Sequence, residues 1–167
     1  MCTFAYGQVT KGNFLAGGAF SFQSEKYSEG GNRSTSLSFT PGAGYFFIDK
    51  AAAGLRSTLT YYKQDVDSRF YILAGPFLRY YFLPAPKSFN LFLDGSFMAG
   101  TEKYHDFDAE SITQYAFNGG PSFFINRFVA VEATFGWRSL KFGEDKGRYN
   151  SFSMNIGFQL HMAAAKK

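Results

Sequence analysis

From Asn13 onward, apolar side chains recur at every second position rather than every third or fourth. That period belongs to a strand with two unlike faces and excludes an amphipathic helix. Phe14, Ala16, Gly18, Phe20 and Phe22 share one face, and Leu15, Gly17, Ala19, Ser21 and Gln23 share a smaller, more polar one. The pattern returns seven more times, marked on its apolar face by Leu37 and Phe39, Leu55 and Leu59, Ile72 and Leu78, Leu91 and Leu93, Tyr115 and Phe117, Val131 and Phe135, and Ile156 and Phe158. Each segment reaches the roughly 9–11 residues that a tilted strand needs to cross a bilayer. Glycine flanks Pro41, Pro76 and Pro121, where a proline removes a ladder donor, so bulges or local breaks are expected there.

The connections alternate. Those near 47–50, 83–88 and 125–127 read as short, and those near 25–33, 63–69, 101–112 and 141–149 as longer and more charged. Alternation of this kind predicts an all-β, eight-stranded antiparallel up-and-down barrel with a short-turn end and a long-loop end. A chain of 167 residues has room for this one domain. The expected division is 1–10 as a leading segment, 11–162 as the transmembrane barrel and 163–167 as a tail or an expression scar. Ala5, Tyr6 and Gly7 before Gln8 have the small-residue spacing that ends a secretory signal, so 1–10 reads as a signal-peptide remnant or a short disordered terminus.

Two eight-stranded barrels share this pattern. A soluble lipocalin-like barrel turns its apolar face inward around a greasy ligand, and a membrane barrel turns it outward against lipid. Aromatic residues are 20% of the chain although its mean hydropathy is only −0.18. An apolar coat over a polar interior gives that combination. The polar face carries Gly, Ser and Thr, which suit a narrow lumen, where a water-facing surface would carry more Lys and Glu. Tyr45, Phe47, Tyr80, Phe82, Phe89, Phe123 and Phe128 crowd the strand ends beside the short turns, as an interfacial girdle would. Arg56, Arg79, Asp94, Glu132 and Arg138 all fall on the polar face by alternation. On the lipid face, a mid-membrane arginine would cost about 2–4 kcal/mol. The membrane barrel is therefore the expected fold.

The alternating segments resemble the small outer-membrane barrels of the porin family, OmpA- and OmpX-like in size. So do the stretch Gly-Pro-Phe-Leu-Arg-Tyr-Tyr-Phe at 75–82 and the closing Ser-Phe-Ser-Met-Asn-Ile-Gly-Phe-Gln-Leu-His at 151–161. The resemblance covers about residues 11–162. It implies residence in a bacterial outer membrane, with the short turns periplasmic and the long loops extracellular. Such barrels usually end on a terminal aromatic that the insertion machinery reads. Here Phe158 and Leu160 fit, but Met162 is followed by Ala-Ala-Ala-Lys-Lys.

Function is less constrained than fold. Eight strands leave a lumen that side chains fill. Arg56, Arg79, Asp94 and Glu132 stand a few residues above the short-turn end and are expected to meet as an interior salt-bridge network. The leading reading is a structural, surface-interaction or accessory-subunit protein. Its partners are the lipid of the outer membrane and other envelope proteins or surface ligands reached through the loops. A narrow pore for small solutes, an outer-leaflet lipid-modifying enzyme and a soluble apolar-ligand binder are the alternatives. His105, Asp106, Asp108, Glu110 and Ser111 supply triad residue types, and Glu102 adds an oxygen ligand. Their loop setting favours a solvated acidic loop over a catalytic or cation site. No catalytic group, cofactor or metal is expected, and one cysteine excludes an internal disulfide. The net charge of +4 does not collect on one aromatic-laced face, so no nucleic-acid partner is expected. The basic excess sits at the short-turn end, in Lys11, Lys50, Lys87 and Arg127 and the terminal lysines, against Asp49.

Overall fold

Eight antiparallel strands, each paired with its sequence neighbours, close into one barrel. The computed structural model describes residues 9–26, 33–64, 67–84, 88–104, 110–143 and 147–163. The strands are β1 (Phe14–Lys26), β2 (Arg33–Ile48), β3 (Ala51–Gln64), β4 (Asp67–Tyr81), β5 (Phe89–Tyr104), β6 (Glu110–Phe124), β7 (Val129–Phe142) and β8 (Arg148–Met162). Each of them points large apolar side chains outward, including Phe20, Phe39, Leu55, Leu78, Leu93, Phe117, Phe135 and Phe158. Leu55 is 69% exposed and Phe158 58%. A soluble ligand-binding barrel would bury these side chains. A continuous apolar coat of this extent is a surface made for lipid.

The expected difference between short and long connections is not what separates the two ends. Strand pairing continues well beyond the apolar segments, so the stretches between strands shrink to 27–32, 65–66, 105–109 and 143–147 at one end. At the other end they are 49–50, 82–88 and 125–128, which are no shorter. The reason is strand length. A strand of 15 residues rises about 38 Å along a barrel axis at ~40° tilt, against an apolar band of about 25 Å. The excess forms a polar skirt on the strand tops, where Lys63, Thr101, Ser111, Arg148 and Asn150 face outward. Glu102, expected in a solvated acidic loop, is on β5 and only 3% exposed.

At the opposite end, the turns form a closed floor. Lys50 takes a positive φ of 68° in the two-residue β2–β3 turn. Its amide donates to the Val9 carbonyl at 2.7 Å, and the Lys11 amide donates to Asp49 Oδ1 at 2.8 Å. Of the leading segment expected over 1–10, only Val9 and Thr10 are among the described residues. Val9 is 1% exposed inside the barrel floor, and residues 1–8 lie outside the described ones. Asn90 closes the β4–β5 connection by accepting from the Leu83 amide and donating to its carbonyl, both at 2.9 Å. Asn126 turns β6 into β7 by accepting from the amides of Phe128 and Val129.

The prolines break the ladder without shifting it. Pairing is skipped on one side of Pro41, Pro76 and Pro121, yet the register before and after each is the same. The register shift in β2 lies instead between Phe46 and Ile48. Gly75 and Gly120, beside two of these prolines, are needed for close approach. A Cβ on Gly75 would collide with the Phe97 carbonyl oxygen, and one on Gly120 with that of Ala133.

Candidate functional site

The lumen is filled in three layers. Its floor is an apolar cluster of Val9, Leu15, Phe46, Ala52, Phe77, Tyr81, Phe92, Phe124 and Ala130. The His161 ring is set among these rings, 5.0 Å from Phe124 and 5.8 Å from Tyr81 between centroids. The sequence pattern had made the inner face Gly, Ser and Thr. It missed this aromatic floor because Phe46 and Phe92 lie inside apolar runs where alternation is hidden.

Directly above the floor, the structure brings Arg56, Arg79, Asp94 and Glu132 together. Asp94 is the hub. Arg56 on β3 grips it with both nitrogens, Nη1 to Oδ1 at 2.8 Å and Nη2 to Oδ2 at 2.6 Å. Arg79, its direct cross-strand neighbour on β4, donates from Nε to Oδ2 at 3.2 Å. Asn118 on β6 donates to Oδ1 at 3.2 Å. Arg79 then reaches the far wall, where Nη1 meets Glu132 Oε2 at 2.8 Å and Oε1 at 3.0 Å. Tyr81 accepts from Arg79 and donates to Glu132. The guanidinium planes lie on aromatic rings, Arg56 over Phe77 at 4.5 Å and Arg79 over Phe92 at 4.3 Å. Two cations and two carboxylates balance, and the chain of contacts ties β3, β4, β5, β6 and β7 into one wall. Asn118 and Tyr81 were not among the residues expected in the network. Cross-strand register with Asp94 and shared parity with Arg79 are the signals that place them.

The top layer is lopsided. Leu73, Met98, Ile112 and Leu140, with Tyr71 and Phe142, fill it from β4 to β7. The inward positions of the facing wall on β1, β2 and β8 carry mostly small, hydroxyl or amide groups, such as Ala19, Ser21, Ser36, Ser38, Asn155 and Gln159. Between the two halves is a cavity of ≈ 410 Å³, with Arg56 and Asp94 on its lower wall and Arg138 on its upper one. Hydroxyl pairs organise its side, Ser38 with Thr60 at 2.7 Å and Thr40 with Thr58 at 3.3 Å. Ser96 Oγ and Gln114 Oε1 are buried in the wall without a hydrogen-bond partner.

The seven aromatic residues of the expected girdle, Tyr45, Phe47, Tyr80, Phe82, Phe89, Phe123 and Phe128, all point outward at the floor end. Tyr80 and Phe82 meet edge to face at 5.3 Å, and Phe89 and Phe123 are 5.2 Å apart. Of the loop residues weighed for catalysis or cation binding, His105, Asp106 and Asp108 lie outside the described residues. Glu110 and Ser111 are on β6. No cluster of three metal-ligating side chains occurs among the described residues.

No family model and no curated protein matches this chain. Solved structures do. The chain is similar to Neisserial surface protein A, with a TM-score of 0.65 at 16% identity, covering 90% of this chain and 97% of that one. It is similar to the N-terminal β-barrel domain of Pseudomonas aeruginosa OprF, with a TM-score of 0.60 at 14% identity over 91% and 98% of the two chains. It is also similar to the outer membrane protein OprG of Pseudomonas aeruginosa, with a TM-score of 0.56 at 14% identity over 93% and 98%. At these identities the likeness is one of architecture: the chain has the fold of the small eight-stranded outer-membrane β-barrels.

Proposed function

We propose that this chain is an integral protein of a bacterial outer membrane that does not conduct and that acts as a structural, surface-interaction or accessory-subunit barrel. The observation that carries this reading is the filled lumen. The floor cluster and the Arg56–Asp94–Arg79–Glu132 network occupy successive layers of the bore, as side chains do in a narrow eight-stranded lumen. The outward apolar coat supplies the membrane contact, and the aromatic rings at the floor end sit at one interface. The turn-closed floor faces the periplasm, and the polar skirt with its connections faces outward, where it meets surface ligands or other envelope proteins. Among the described residues no side-chain constellation points to catalysis, and we assign the chain no enzymatic role.

Planar-bilayer recording of the refolded protein tests this directly. The expected trace is flat at the parent sequence. Stable, discrete openings would overturn the reading in favour of a narrow pore. Capture from detergent-solubilised outer membrane identifies the envelope partners that an accessory subunit requires.

A further inference from the structure

The barrel wall is not equally closed all round. Neighbouring strands elsewhere pair along most of their lengths, for example from Phe14↔Tyr45 to Lys26↔Arg33 between β1 and β2. Between β1 and β8 the pairing stops early, running only from Phe14↔Met162 to Phe20↔Ile156. Continued register would set Ser21 against Asn155 and Phe22 against Met154, but no such pairs form. Both strands run on past that point, to Lys26 and back to Arg148. Two rows of backbone donors and acceptors thus face each other across a seam in the upper half of the wall.

The cavity reaches this seam. Phe22, Met154 and Phe152 belong by alternation to the outer coat, yet they line the inner cavity. Phe22 and Met154 stand just where the β1–β8 pairing has stopped. Phe152, at 86%, is the most exposed large apolar side chain among the described residues. Inside the seam the chemistry changes. Arg138 on β7 faces the cavity beside β8, where its Nε donates to Ser151 Oγ at 3.4 Å. The other four charged residues lining the cavity, Arg56, Arg79, Asp94 and Glu132, belong to the balanced network below, and no carboxylate pairs with Arg138 among the described residues. Gln114 Oε1, in a side chain 4% exposed, adds a buried acceptor to the same cavity.

An apolar mouth and a polar chamber in which Arg138 has no carboxylate partner among the described residues select a particular ligand class. We propose that the β1–β8 seam is a lateral mouth between the bilayer and the lumen, and that it seats a single-chain anionic amphiphile, its head on Arg138 and its chain between Phe22, Met154 and Phe152. The chamber volume falls in the range of ~300–1,000 Å³ usual for small-molecule sites. A charge-assisted contact to a guanidinium is strong. The inference rests on reading the apolar coat as lipid-facing.

Tryptophan quenching in phosphatidylcholine vesicles tests it. Trp137 is the only tryptophan, so a Trp137→Phe background carries one reporter at a time, Phe152→Trp at the seam or Leu78→Trp on the far coat. The probe is a chain-brominated dodecanoate. At Phe152→Trp the quenching should follow a saturable curve, and Arg138→Met should move its midpoint upward by about tenfold, the cost of losing one charge-assisted contact. At Leu78→Trp the quenching should rise only in proportion to the probe dissolved in the membrane. Identical curves at the two reporters, or a midpoint indifferent to Arg138→Met, would overturn the lateral site. Brominated phosphatidylcholine separates the two failures. If it does not quench Leu78→Trp, the lipid-facing coat is wrong. If it does while the dodecanoate curves coincide, only the seam is wrong.

Discussion

Asp94→Asn is the sharpest test of what holds this barrel closed. The substitution keeps the shape of the side chain and removes its charge. Asp94 accepts two hydrogen bonds from Arg56, one from Arg79 and one from Asn118, and it is 1% exposed. Each bond to a charged group is worth about 1.5–3 kcal/mol, so simple addition would give roughly 6–12 kcal/mol. That sum is too large, because Arg79 keeps Glu132 and the adjoining cavity lets Arg56 take up water. The balance is the cost of breaking a buried pair by one partner, about 3–5 kcal/mol. It arises chiefly because the amide nitrogen of asparagine turns a donor toward guanidinium donors, leaving an arginine uncompensated. The assay is urea unfolding of the barrel in phosphatidylcholine vesicles, followed by the emission of Trp137. That ring lies on the outer surface, stacked with Phe117 at 6.2 Å, where it reports entry to and exit from lipid. Arg138→Met is the control, since its one described hydrogen bond, at 3.4 Å, makes a loss below about 1 kcal/mol the expected outcome. Arg56→Met combined with Asp94→Leu should recover much of the loss, as charge-free replacements of buried pairs do. An Asp94→Asn protein that unfolds within about 1 kcal/mol of the parent refutes the network as a structural element.

Glu132→Ala should also lower the thermal midpoint, by a loss of about 3–5 kcal/mol, because Arg79 and the Tyr81 hydroxyl lose their shared acceptor. A variant that melts with the parent would contradict that assignment. Gly120→Val should destabilise by about 1–3 kcal/mol or block folding, since its Cβ meets the Ala133 carbonyl of the neighbouring strand. Wild-type folding yields would show that β6 and β7 can separate there at no cost. Arg127 lies over the Phe128 ring at 4.6 Å, and Lys50 reaches the Phe82 carbonyl, both among the floor-end aromatics. Neutralising the two should lower folding efficiency into phosphatidylglycerol vesicles more than into phosphatidylcholine vesicles. An unchanged ratio would remove them as lipid-headgroup contacts.

Strand existence, order and facing were legible because a period of two is written into every segment, and each strand reads its own face without help from its neighbours. Arg56, Arg79, Asp94 and Glu132 were legible for the same reason. A charge cannot be left on a lipid face cheaply, so parity alone assigns it to the lumen. Strand ends were not legible. Beyond the lipid band the outward side chains turn polar, and a polar strand in water reads like a loop, which is how Glu102 came to be assigned to one. The aromatic floor was hidden for a related reason. Where both faces are apolar, as around Phe46 and Phe92, alternation loses contrast and nothing local separates lumen from lipid.

The seam belongs to a third kind of property, one that no single segment encodes. Small residues on the inner faces of β1, β2 and β8 do not by themselves predict a gap, because narrow barrels commonly fit small side chains opposite large ones. Here the large ones, Leu73, Met98, Ile112 and Leu140, come from β4 to β7 and pack on one another, not across the bore. The opposite wall above Phe20 therefore faces the cavity and not that cluster. An unbraced wall still closes if its strands pair, and elsewhere the ladder alone does this. At the one junction where strands distant in sequence must meet, β1 and β8 have no connecting turn to set their register. Pairing there begins from the floor, where the His161 amide donates to the Phe128 carbonyl and Val9 anchors the turn. It ends where that bracing ends. The opening thus coincides with the hollow half of the lumen because both follow from the same uneven distribution of side-chain bulk.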